Sequence, residues 1–165
     1  MLYSVHMKII SSAVGLVSLL LSGCNVLGGV AISASASGSE FTPVSLSDAK
    51  QVPSDRLLAY QENIPEYRLL IVTRDKGFQG GGCFVGLEIN GVLSGRFDPE
   101  ESARFYIPSS EPAMRVVPDP FASGLCSLGG WPPAEQRYVL SASSENIFRI
   151  TRGSRGRFIL LPSSR

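Results

Sequence analysis

The chain has 165 residues, with 15 Lys and Arg against 14 Asp and Glu, a single His and three Cys. A net charge of +1 excludes the basic footprint of a general nucleic-acid binder. The composition is that of an ordinary globular protein, and its 17 Gly and 11 Pro favour strands and turns over helices.

Met7-Lys8 opens a run that is apolar from Ile9 to Leu21 and closes on Leu21-Ser22-Gly23-Cys24. As a helix this run would be roughly 20 Å long. A membrane span needs about 20 residues, so the run is short for one and suits a leader with a small-residue cleavage site. The stretch resembles the signal peptide and lipobox of a bacterial lipoprotein. The resemblance implies cleavage before Cys24 and a thioether from its sulfur to diacylglycerol. Acylation of the freed amine would add the second chain that makes anchoring stable. The competing reading is an ordinary signal peptide with a chance cysteine. Asn25 stands where lipoproteins kept at the inner membrane usually carry Asp. The resemblance therefore implies the outer membrane, facing the periplasm.

Residues 1–23 are thus expected to be the leader, 24–50 a lipidated tether and 51–165 one domain. Removal of the leader takes Lys8 and the only histidine, His6, and leaves basic and acidic side chains equal in number. With Cys24 assigned to lipid, Cys83 and Cys126 remain in an oxidising compartment, where one disulfide is the simplest arrangement. Two reduced buried cysteines are the alternative. The tether is rich in Ser, Ala and Gly, most clearly at Ser33–Ser39. A flexible chain of that length has an r.m.s. reach of roughly 25–30 Å.

The domain is predicted to begin with one short helix over Val52 to Gln61, with Ser54 as N-cap and Asp55 in the first turn. Strand signals follow at close spacing. The first is Tyr67 to Arg74, with the continuous apolar run Leu69 to Val72. The second is Cys83 to Ile89, whose Cys83, Val85, Leu87 and Ile89 share a face. Asn90-Gly91 makes a hairpin turn, because both residues tolerate positive φ, and Val92 to Phe97 returns. Ala103, Phe105 and Ile107 form an inward face. Ala113 to Val117, Tyr138 to Ser141, Asn146 to Thr151 and Arg157 to Leu161 complete the set, with a last turn at 153–156. The expected fold is all-β: a small sandwich of about seven or eight short antiparallel strands after one helix.

Gly82-Cys83 opening a strand, Glu88-Ile89-Asn90-Gly91, Asp98-Pro99-Glu100-Glu101 and Phe105-Tyr106-Ile107-Pro108 together form a pattern. It is similar to small PEGA-like β-sandwich domains of bacterial envelope lipoproteins, over about residues 67–161. The Gly usual after the Pro turn is replaced by Ser109-Ser110-Glu111. The resemblance implies a fold and a compartment, with no catalytic residue to carry over.

Without a histidine after residue 24, no Ser-His-Asp or Cys-His arrangement can be built, and a zinc site lacks ligands. No motif calls for a cofactor. Glu100 and Glu101 are read as solvated turn charges rather than a catalytic pair. Gly77 to Cys83 lacks the Lys-Ser or Lys-Thr of a phosphate loop, so its glycines are read as structural. Trp131, between Gly129-Gly130 and Pro132-Pro133, is either a lid on the end of the sandwich or an anchor for a partner. Phe78 and Phe121 lie in loops near the two cysteines, so the three aromatics are expected at one end of the domain. Arg149, Arg152, Arg155, Arg157 and Arg165 crowd the C-terminal stretch. They suit an anionic partner, or the solvated face of an edge hairpin.

The expected function is that of a membrane-anchored periplasmic lipoprotein, an interaction or structural module rather than an enzyme. Its partners would be the membrane through Cys24, and an envelope protein, peptidoglycan or lipopolysaccharide. The alternative is a periplasmic inhibitor of a cell-wall lytic enzyme.

Overall fold

The structure, a computed structural model, describes residues 41–77, 82–128, 130–153 and 156–163. The expected leader, Cys24 and residues 25–40 lie outside the described residues, as do Phe78, Arg155 and Arg165. Among the described residues the chain forms nine strands: β1 (Lys50–Gln51), β2 (Arg68–Arg74), β3 (Val85–Ile89), β4 (Val92–Phe97), β5 (Glu101–Ile107), β6 (Ala113–Pro118), β7 (Gln136–Arg137), β8 (Asn146–Arg152) and β9 (Phe158–Pro162). They make a five-stranded sheet in the order β1-β5-β2-β8-β9 and a four-stranded sheet in the order β4-β3-β6-β7.

Period-two alternation builds the core between the two sheets. Leu70 and Val72 of β2, Phe105 and Ile107 of β5 and Phe148 and Ile150 of β8 come from one sheet. Val85, Leu87 and Ile89 of β3, Phe97 of β4 and Met114 and Val116 of β6 come from the other. All are nearly or completely sealed from solvent. The result is a sandwich-like all-β arrangement, as expected. Asn90-Gly91 turns β3 into β4 with both residues at positive φ, 49° and 78°. The continuous apolar run of β2 reflects a central strand buried on both sides. Ile71 is as buried as Leu70, and on the outer face it shares a recess with Val44, Leu46 and Ile147.

The pairing is mixed, against the antiparallel expectation. β2 runs parallel to β8, with Leu70 opposite Asn146, and β1 runs parallel to β5. The helix expected over 52–61 is absent. A single 3-10 turn, Ser54–Arg56, stands in its place. Beyond it the backbone turns to partners across the fold instead of continuing along a helix. The Leu58 N–H donates to the Ser94 carbonyl at 2.9 Å, Leu57 bridges Gly95, and Tyr60 adopts φ 60°. The strand expected at Tyr138 to Ser141 is displaced to Gln136–Arg137. Only isolated amides of Tyr138 and Leu140 bond onward, to Pro112 and Ser110.

Residues 41–50, read from composition as tether, pack as part of the domain. Thr42 and Lys76 exchange backbone hydrogen bonds, and the Phe41 ring meets Phe158 edge-on at 5.7 Å between centroids. Gly77 makes room for that ring, since a Cβ there would lie 2.6 Å from it. Glu101 is not a solvated turn charge. Its carboxylate is buried and receives both Arg56 Nη1 at 2.7 Å and Nη2 at 2.5 Å, as well as the Asp98 N–H. Glu100 faces Lys76 at 3.5 Å near the surface.

Candidate functional site

At one end of the sandwich the inward-facing rows run out of apolar residues and continue as arginines. Leu70 and Val72 are followed on the same face of β2 by Arg74. Phe148 and Ile150 are followed on neighbouring β8 by Arg152. Beyond them opens a cleft of about 430 Å³, lined also by Phe84, Val85, Pro118, Asp119, Leu125, Trp131, Phe158 and the two bridged cysteines. The Cys83–Cys126 disulfide forms as expected, with Cα atoms 5.4 Å apart. It ties the approach to β3 to a 3-10 turn at Gly124–Ser127.

Arg74 is 1% exposed. Its Nη1 donates to the carbonyls of Cys83 at 2.8 Å and Phe97 at 2.7 Å, and its guanidinium lies over the Phe158 ring. Burial pushes its pKa down to about 10, against the opposing pull of Asp98 and Glu101. Arg74 therefore clamps the loop before β3 to the end of β4, while its charge contributes to the floor of the cleft. Arg152 is half-buried, and its side chain takes part in no hydrogen bond or ion pair among the described residues. Its Nη2 lies against Gly156, where a Cβ would come within 2.8 Å.

Trp131 lines the cleft. Its ring packs on Phe158 at 5.2 Å between centroids, and its buried Nε1 has no hydrogen-bond acceptor. A buried donor left unpaired costs about 1–3 kcal/mol, so this site is built to gain from an acceptor. On the other wall Phe84 lies under two guanidinium groups, Arg56 at 4.5 Å and Arg96 at 5.1 Å. Arg96 also stacks on Phe121 at 4.9 Å. Arg96 is fixed by a two-pronged pair to Asp119, Nε to Oδ1 at 2.8 Å and Nη2 to Oδ2 at 2.7 Å. Burial alone would raise the Asp119 pKa. The hydrogen bonds from Arg96 and from the Phe121 N–H overcome it and hold the carboxyl below its usual range.

Asp119 is thus locked as an ion-paired carboxylate. Among the described residues no three His, Cys, Asp or Glu side chains gather to hold a metal. What the cleft offers is cationic donors, an unpaired indole N–H and aromatic faces, which is equipment for holding an acceptor-bearing, partly apolar ligand. Its rim is apolar and open: Leu125 is 85% exposed, Leu128 78% and Phe121 64%.

Of the residues singled out in the sequence, Trp131 and Arg152 line this cleft, and Phe121 stacks on Arg96 behind its Asp119 wall. Arg149 faces the opposite side of β8, where it pairs with buried Asp75 at 2.6 Å. Burial raises the Asp75 carboxyl, against hydrogen bonds from Thr151 and Arg149. Arg157 precedes β9, is half-buried and does not line the cleft. Among the described residues, Arg149 and Arg152 therefore lie on opposite faces of β8. Arg74, Phe84, Arg96, Asp119 and Phe158 escaped the sequence reading. The signal for Arg74 was present in the alternation Leu70, Val72, Arg74. The Arg96–Asp119 pair, 23 residues apart, left no local trace.

No family model, curated protein or solved structure matches the chain, so the reading of its role rests on these residues.

Proposed function

We propose that the protein is a lipoprotein of the bacterial cell envelope, acylated at Cys24 and carried to the outer membrane. Its domain serves in the periplasm as a PEGA-like interaction module that uses the disulfide-end cleft. The observation that supports this most is the cysteine partition. The Cys83–Cys126 bridge accounts for two of three cysteines and suits an oxidising compartment. The remaining one, Cys24, stands in Leu21-Ser22-Gly23-Cys24 behind a short apolar run. Acyl chains there would hold the domain at high local concentration beside an envelope protein, peptidoglycan or lipopolysaccharide.

Metabolic labelling with an alkyne fatty acid tests the anchor. The wild-type chain is expected to carry label and to sediment with outer membranes. Cys24→Ser is expected to lose the label and the processing step. A wild-type chain found in the cytosol, unlabelled and with Cys83 and Cys126 reduced, sinks the proposal.

A second reading, inhibition of a cell-wall lytic enzyme, draws on the 3-10 turn at Gly124–Ser127. A disulfide holds this turn while it projects Leu125 into solvent, a shape able to plug a substrate cleft. Equimolar protein that leaves lysozyme turnover unchanged removes it.

A further inference from the structure

We propose that the cleft end of the domain docks on an anionic lipid bilayer, taking a lipid headgroup phosphate between Arg152 and the Trp131 indole N–H while Phe121, Leu125 and Leu128 enter the apolar layer. Three independent features converge on this surface. The first is electrostatic. Arg152 and Trp131 Nε1 are donors lining one cleft, and neither has an acceptor among the described residues. Arg74 adds positive charge behind them, and the one carboxylate in the wall, Asp119, is neutralised by Arg96. A headgroup phosphate carries the acceptor oxygens that both kinds of donor take.

The second feature is the rim. Three large apolar side chains within residues 121–128 project from a single loop, at 64%, 85% and 78% exposure. The disulfide holds that loop at Cys126 and the Asp119 carboxylate holds it at the Phe121 N–H, so the three side chains are presented together at little ordering cost. Apolar side chains flanked by arginines suit the boundary between headgroups and acyl chains.

The third is the direction from which the chain arrives. Phe41 packs on Phe158, and Phe158 packs on Trp131, so the N-terminal segment joins the domain beside the cleft. With acyl chains on Cys24, residues 25–40 alone separate the bilayer from this end. The orientation therefore rests on the anchored reading, whereas the affinity of the surface for anionic lipid does not.

The single tryptophan makes the test direct. The full chain is reconstituted into phosphatidylcholine vesicles with and without phosphatidylglycerol, with bromine on the acyl chains as quencher. Trp131 emission is expected to shift to the blue and to be quenched when phosphatidylglycerol is present. Quenching is expected to be roughly fivefold weaker without it or in Arg152→Gln, from the loss of one charge contact at the surface. Leu125→Asp combined with Leu128→Asp is expected to abolish quenching with no change in thermal midpoint, since both side chains are exposed. Trp131 that ignores brominated chains in every vesicle, while acrylamide quenches it equally throughout, overturns the proposal. So does inorganic phosphate that shifts the emission as far in phosphatidylcholine vesicles as phosphatidylglycerol does, which assigns the cleft to a soluble anion. The mass at Cys24 is read separately. An unacylated chain that still docks defeats the anchor and leaves the surface standing. An acylated chain that does not dock does the reverse.

Discussion

Asp119 sits between opposed pressures, and its balance sets a pH dependence. Burial favours the protonated acid, while Arg96 and the Phe121 N–H favour the carboxylate and prevail. Its folded pKa lies below its unfolded one. Its contribution is therefore complete above the unfolded pKa, near 3.9, and is lost as pH falls through the lower folded value. Asp119→Asn is expected to cost roughly 1.5–3 kcal/mol at pH 7. That gap from wild type should narrow as urea melts are taken below the unfolded pKa and on through the lower folded one. Asp75 works in the other direction, because burial raises it. The stability it contributes is present at low pH and declines as pH rises through its folded pKa, so it does not add to acid lability. Arg74→Met keeps an apolar stem but strands the carbonyls of Cys83 and Phe97. A loss of roughly 2–4 kcal/mol in urea melts is expected. The sequence shows Arg74 as the next inward position after Val72. It does not show that Ile150 of the neighbouring strand lies opposite Arg74 and that the next inward position there is Arg152, because that depends on which strands are neighbours.

The elements that were legible in the sequence are those with strict alternation and a local turn. β3, Asn90-Gly91 and β4 fall where the pattern places them, because a hairpin is decided by residues a few positions apart. The segment 52–61 fails for the opposite reason. Ser54, Asp55, Leu57 and Leu58 carry helix signals, but the Leu57 and Leu58 backbone is taken up by Gly95 and Ser94, and Arg56 is drawn to Glu101. Tertiary pairing outweighs a propensity of a few tenths of a kcal/mol per residue. Composition likewise assigned Phe41 to the tether, since Ser and Pro surround it, whereas its ring caps the end of the core beside Phe158. Gly77→Ala puts a methyl 2.6 Å from that ring. The variant should release Phe41 and raise hydrogen exchange at the Thr42 and Lys76 amides. Exchange in β3 and β6 should stay as in wild type.

At the scale of the whole molecule, the disulfide joins residues 43 apart. Closing a loop of that size contributes about 4 kcal/mol by the chain-entropy account. Cys83→Ser with Cys126→Ser is expected to lower the unfolding free energy by that order, a difference that should disappear when wild type is melted with added reductant. A fall below about 1 kcal/mol would mean that Arg74 and the Phe84 stack already hold that end. The all-β class and the cysteine pair were readable from composition and spacing. The mixed sheet was not, since parallel strands need no turn signal between them. That sheet has a consequence for how the protein is made. The central β2 borders β8, and Leu70 lies opposite Asn146. During synthesis one flank of the most apolar strand therefore stays open until residues 146–150, more than 70 positions later, have emerged. Ribosome-bound chains stalled before residue 146 are therefore expected to expose this flank to protease or to a hydrophobic dye, and chains released after β8 are expected to protect it.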